Sequence, residues 1–68
     1  MQITLKSARV NAGYTQKEAA DLGGVTRTTI GKWERGVSSP NRLQLIGLAS
    51  VYGVEVDSII MPKKLPKR

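Results

Sequence analysis

Residues 15–36 read TQKEAADLGGVTRTTIGKWERG, and this stretch decides the fold. Thr15 and Glu18 have the spacing of a capping box, in which hydroxyl and carboxylate each satisfy a backbone N–H left free at a helix start. A helix therefore begins near Gln16. Ala19 and Ala20 are small enough for a neighbouring helix to approach closely, and Gly23 and Gly24 end the helix with a permissive turn. Thr26 caps a second helix that runs to about Arg35, and Gly36 stops it. Val25, Ile30 and Trp33 are its apolar residues, with Ile30 and Trp33 on one face.

Working outward, Thr4 is placed as the N-cap of a first helix that ends before Gly13. Leu5, Ala8 and Ala12 recur along it at helical spacing. On the other side, Ser39-Pro40 reads as a hydroxyl cap followed by proline at the first helical position. Leu45, Leu48, Ala49 and Tyr52 give that helix an apolar stripe, and Gly53 closes it. A last short helix or turn covers residues 56–61. Beyond Pro62 the segment KKLPKR carries four charges and breaks the periodicity, which predicts disorder. Neither an internal repeat nor a strand pattern is present. The expected architecture is all-α, a compact bundle of about five short helices over residues 1–61, with a basic flexible tail at 62–68.

The chain has 68 residues, no cysteine and no histidine. Disulfides, thiolate or imidazole metal sites and the usual neutral-pH proton shuttle are thereby excluded. The five acids are scattered, so enzymatic chemistry, metals and cofactors are not expected. Eleven Lys and Arg against five Asp and Glu give a formal charge of +6. That balance favours a polyanion, nucleic acid before acidic membrane or protein surfaces. No apolar run is long enough to span a bilayer and no signal-peptide pattern opens the chain, so the expectation is a cytoplasmic protein without a membrane partner. No small-molecule ligand is indicated.

Two short helices joined by a glycine turn, the second with a cationic and hydroxyl face, form the helix-turn-helix arrangement that lays one helix in the DNA major groove. With Ile30 and Trp33 inward, Arg27, Thr28, Gly31, Lys32 and Arg35 project outward or flank the buried face, and Lys32 can reach a base edge or a phosphate. Arginine can pair bidentately with guanine, and threonine can meet a thymine methyl. Gln16 stands at a helix N-terminus, where backbone N–H groups and the helix dipole attract phosphate. Ser38, Ser39, Asn41 and Arg42 cluster at a second helix start. With Thr26 and Arg35 they complete the candidate phosphate contacts, which position a protein without reading sequence. Gly31 is either a point of close approach to DNA or an exposed position under no constraint. Glu34 would repel phosphate if free, and Arg9 is its candidate partner in a structural ion pair.

Together these residues resemble the Cro- and phage-repressor-type helix-turn-helix (XRE) family of phage repressors and bacterial regulators. The resemblance spans residues 5–60 and rests on Arg9, Gly13, Thr15-Gln16, Ala20, Gly24-Val25, Ile30, Trp33-Glu34, Gly36, Pro40 and Gly53-Val54 at matching spacing. It implies a five-helix, lambda-repressor-like DNA-binding domain that binds a palindromic operator on double-stranded DNA as a homodimer. It also implies that Gln16 touches phosphate, that Arg27, Thr28 and Lys32 face bases, and that Arg9 pairs with Glu34. Three positions depart from the family pattern. Gly23 replaces a large apolar residue and Ala19 a leucine, which weakens the seating of the second helix. Glu55 replaces a hydroxyl cap, which predicts fraying of the last helix.

Leu43, Val51, Ile60 and Met61 exceed what so small a core can hold, and some of them are expected at a two-fold contact. The competing function is a protein-interaction module on the same fold, such as an antitoxin or an anti-repressor partner. Such a module would keep its activity after Arg27→Ala. The chain reads equally as a minimal repressor or as a fragment of a longer one.

Overall fold

The computed structural model describes residues 2–61; the expected tail lies outside the described residues. Among them are four α-helices: α1 (Leu5–Asn11), α2 (Gln16–Gly23), α3 (Arg27–Arg35) and α4 (Arg42–Tyr52). A single 3-10 turn, Val56–Ser58, takes the place of the expected fifth helix. Two short strands, β1 (Ile3–Thr4) and β2 (Ile59–Ile60), pair in parallel with Ile3 opposite Ile59 and Thr4 opposite Ile60. They correct the purely helical expectation. Two residues are too few to display a period-2 pattern, and this pairing is made by the approach of the two ends of the domain.

Each α-helix starts on a side-chain cap. Thr4, Thr15 and Thr26 accept hydrogen bonds from the backbone N–H groups of Ser7, Glu18 and Thr29, and Thr15 with Glu18 completes a reciprocal box. The start of α4 corrects the expectation from Ser39-Pro40. Asn41 is the N-cap there: its Oδ1 accepts from Gln44 N at 2.8 Å, and Asn41 N donates to Gln44 Oε1 at 2.9 Å. Pro40 precedes the cap and does not open the helix. Ser and Asn are comparable caps, and the Gln three residues on favours Asn41 by closing the box. At Glu55 no side chain caps the 3-10 turn.

The core is built from Leu5 and Ala8 of α1, Ala19 and Ala20 of α2, Ile30 and Trp33 of α3, and Leu48 and Tyr52 of α4. Ala19 is fully buried, so α2 approaches its neighbours over methyl groups. At Gly23, itself exposed, α2 continues to its last residue, and a Cβ there would stand 3.5 Å from Leu48 Cδ2 of α4. Burying each large apolar side chain contributes about 1.5–3 kcal/mol. Val51 and Met61 pack against this core, whereas Leu43 is 79% exposed and Ile60 is also exposed. No helix among the described residues is long and apolar enough to cross a membrane.

Candidate nucleic-acid interface

The turn between α2 and α3 sets their relation. Gly24 caps α2 in the left-handed conformation (φ 72°, ψ 27°), which L side chains adopt only under strain, and Val25 N donates back to Ala20 O at 3.0 Å. Thr26 then starts α3. Its Oγ1 accepts from Thr29 N at 3.1 Å and shares a second hydrogen bond with Thr29 Oγ1 at 2.9 Å. The Thr26 hydroxyl is thus engaged in holding the helix start, and Thr29, half-buried, is a supporting residue that sequence reasoning did not single out.

With Ile30 and Trp33 in the core, α3 presents Arg27, Thr28, Lys32 and Arg35 to solvent. The ion pairs among the described residues are Arg9–Glu34, Lys17–Asp21 and Arg42–Asp57, so none of the three α3 cations is neutralised by an acid. Gln16, Arg27, Thr28, Gly31 and Arg35 line a cleft of about 230 Å³ between the start of α2 and the middle of α3. Three candidate phosphate or base ligands from α3 and one from α2 therefore share one concave, acid-free surface. Lys32 lies outside that lining, as do Ser38, Ser39, Asn41 and Arg42. Ser39, Asn41 and Arg42 are exposed and Ser38 is half-buried. Asn41 uses its Oδ1 as a cap, and Arg42 Nη2 lies 3.6 Å from Asp57 Oδ1, an exposed pair of little energetic weight.

Behind the cleft lies a buried polar network. Arg9 Nε donates to Glu34 Oε2 at 2.7 Å, and Arg9 Nη2 donates to Glu34 Oε1 at 3.3 Å. Arg9 Nη1 reaches the Tyr14 carbonyl at 2.8 Å. Glu34 Oε1 also accepts from Gln16 Nε2 at 3.1 Å. One carboxylate thus joins α1, α2 and α3. The hydrogen bond to Glu34 raises the Arg9 pKa above its ordinary value, outweighing the opposite effect of burial. Tyr52, beside the same pair, is pushed up to about 12, first by burial and then by the negative charge of Glu34, with Arg9 opposing.

The Gln16–Glu34 bond was not foreseen from the sequence. It means that one N–H of the Gln16 amide is committed inward. Gly31 also differs from its sequence reading. It is buried, which corrects the reading of an exposed position under no constraint, and it lines the cleft beside Gln16 and Arg35. The available signal was its place in a helix interior four residues before an arginine.

Comparison with known proteins agrees with this geometry. A family model described as helix-turn-helix matches residues 5–59. The SPbeta prophage-derived uncharacterized HTH-type transcriptional regulator YonR of Bacillus subtilis (strain 168) is 38% identical over 56 residues, which cover 82% of this chain and 52% of YonR. The HTH-type transcriptional regulator ImmR of the same organism is 34% identical over 64 residues, 94% of this chain and 50% of ImmR. The HTH-type transcriptional activator BcrR of Enterococcus faecalis is 31% identical over 61 residues, 90% of this chain and 30% of BcrR. The chain spans about half the length of the first two relatives and less of the third.

Proposed function

The chain belongs to the helix-turn-helix family, and from that premise we propose that it binds double-stranded DNA sequence-specifically and regulates transcription, with α3 in the major groove. The observation that carries this reading is the exposed, acid-free face of α3, where Arg27, Thr28, Lys32 and Arg35 stand over a buried Ile30–Trp33 side. Arg27, near the start of the helix, and Thr28 are base-reading residues, with Lys32 one turn further along. Gln16 and Arg35 grip phosphate at the cleft, and Thr26, Ser38, Ser39, Asn41 and Arg42 supply further backbone contacts. The transcriptional regulators YonR and ImmR, and the activator BcrR, support regulation of transcription as the outcome.

Two copies acting on a palindromic operator would place their α3 helices in successive major grooves, about 34 Å apart. Exposed Leu43, Ile46 and Ile60 supply apolar surface for self-association. Selection from random duplex DNA, followed by footprinting, tests the reading directly and gives the half-site spacing. If a dimer neutralises about six phosphates, log K falls against log salt with a slope near −5. A flat salt dependence, or binding unchanged by Arg27→Ala together with a co-purifying protein partner, would favour an interaction module on the same fold.

A further inference from the structure

Gly31 lies in the interior of α3, where glycine is a poorer helix former than alanine. Its φ is not positive, so no backbone requirement accounts for it. A second helical glycine shows what an unconstrained one looks like: Gly47 in α4 is exposed, and a Cβ added there would meet nothing within 4 Å. Gly31 is buried, and what covers it is polar. A Cβ at this position would come within 3.2 Å of Arg35 Nη1 and 3.9 Å of Gln16 Nε2. These are donors from two helices, and both residues line the cleft.

The two donors are held differently. Gln16 is anchored by its bond to Glu34, which Arg9 fixes in turn. Arg35 enters no ion pair among the described residues, and its Nη1 lies 3.2 Å from where a Cβ at 31 would stand. We infer that Gly31 is a positioning residue for DNA binding. By presenting no side chain, it lets Arg35 lie across α3 beside the anchored Gln16 amide, so that both donors converge on one backbone phosphate. A methyl group at 31 pushes the guanidinium outward. Because the displaced atom is the free end of a flexible side chain, the fold tolerates the change while the donor geometry does not. The inference rests on the reading of α3 as the DNA-binding helix.

The test compares Gly31→Ala, Gly47→Ala, Arg35→Ala and the Gly31→Ala/Arg35→Ala double variant in the full chain. Each is assayed by fluorescence anisotropy on a labelled random-sequence duplex across a salt series, with melting temperature measured alongside. Both glycine variants should melt at or above the parent temperature, because alanine favours the helix. Gly47→Ala should bind as the parent does. Gly31→Ala should bind about 3- to 10-fold more weakly, with a shallower salt slope, a partial loss of one charge-assisted contact. In the Arg35→Ala background it should have no further effect, since a residue acting through another adds nothing once that partner is gone.

Parent-like binding by Gly31→Ala, an equal loss with and without Arg35, or a lowered melting temperature would each overturn the inference. Failure of the parent protein to bind both this duplex and duplexes recovered by selection would instead overturn the DNA-binding reading, and this inference with it.

Discussion

Arg9 on α1 and Glu34 on α3, 25 residues apart in the chain, meet at 2.7 Å with side chains only 10% and 5% exposed. Such a pair adds little over well-packed apolar residues, but removing one member strands a buried charge, at about 3–5 kcal/mol. In so small a domain that is a large part of the total stability. Arg9→Ala and Glu34→Ala should therefore both shift urea unfolding to much lower midpoints. An Arg9→Met/Glu34→Leu double variant should recover most of the loss. Midpoints for the single variants equal to that of the parent would show that the contact carries no such weight.

Tyr52 makes the fold sensitive to alkali. Burial and the nearby Glu34 raise its folded-state pKa from 10.0 to about 12, so the folded protein favours the neutral phenol. The stability that follows is fully present below pH 10 and is lost as pH rises from about 10 towards 12, by on the order of 1–2 kcal/mol. Tyr52→Phe keeps the ring and removes the ionisation. Urea midpoints measured from pH 8 to 11.5 should fall more steeply for the parent than for Tyr52→Phe. Parallel curves would mean that the phenol does not titrate in this window.

The start of α4 offers two residues that could cap it, only one of which does. Asn41 and Gln44 exchange hydrogen bonds across the first turn, while Ser39 stands outside the helix. Asn41→Ala should lower stability by about 1 kcal/mol, and Ser39→Ala should stay within about 0.5 kcal/mol of the parent. Thermal or urea unfolding of the two variants side by side separates them, and the reverse ranking would restore Ser39 as the cap.

The contrast at α4 also shows where sequence was legible and where it was not. Thr4, Thr15 and Thr26 each act through a neighbour three residues away, so a local pattern suffices to place α1, α2 and α3. Gly24, Gly36 and Gly53 stop their helices for an equally local reason, the left-handed conformation. At α4, Ser39 and Asn41 compete two positions apart, and only the closing of the box with Gln44 decides between them. The Ile3–Ile59 pairing joins the two ends of the domain and leaves no periodic trace in either. At the candidate interface, residue type and helix face identified Arg27, Thr28 and Lys32 as exposed. The burial of Gly31 depends on how Arg35 and Gln16 fold back over it, and the Gln16–Glu34 bond depends on the packing of α2 against α3. Both are tertiary facts, set by the distance between helices and not by spacing along one.

The proposed division between base-reading and phosphate-gripping residues makes opposite demands on sequence dependence. Arg27 stands near the start of α3 and Arg35 is its last residue, over the cleft beside Gln16. On a duplex recovered by selection, Arg27→Ala should cost about 1–3 kcal/mol and relax the preference at one base position in each half-site. Arg35→Ala should weaken selected and random duplexes alike, and reduce the salt slope by about one for each subunit. Both variants are exposed substitutions, so their melting temperatures should stay close to that of the parent. Anisotropy titrations on the selected duplex, its single-base variants and a random duplex read all of these quantities. If Arg27→Ala instead weakened every duplex equally, its guanidinium would be assigned to the phosphate backbone, and base reading would pass to Thr28 and Lys32.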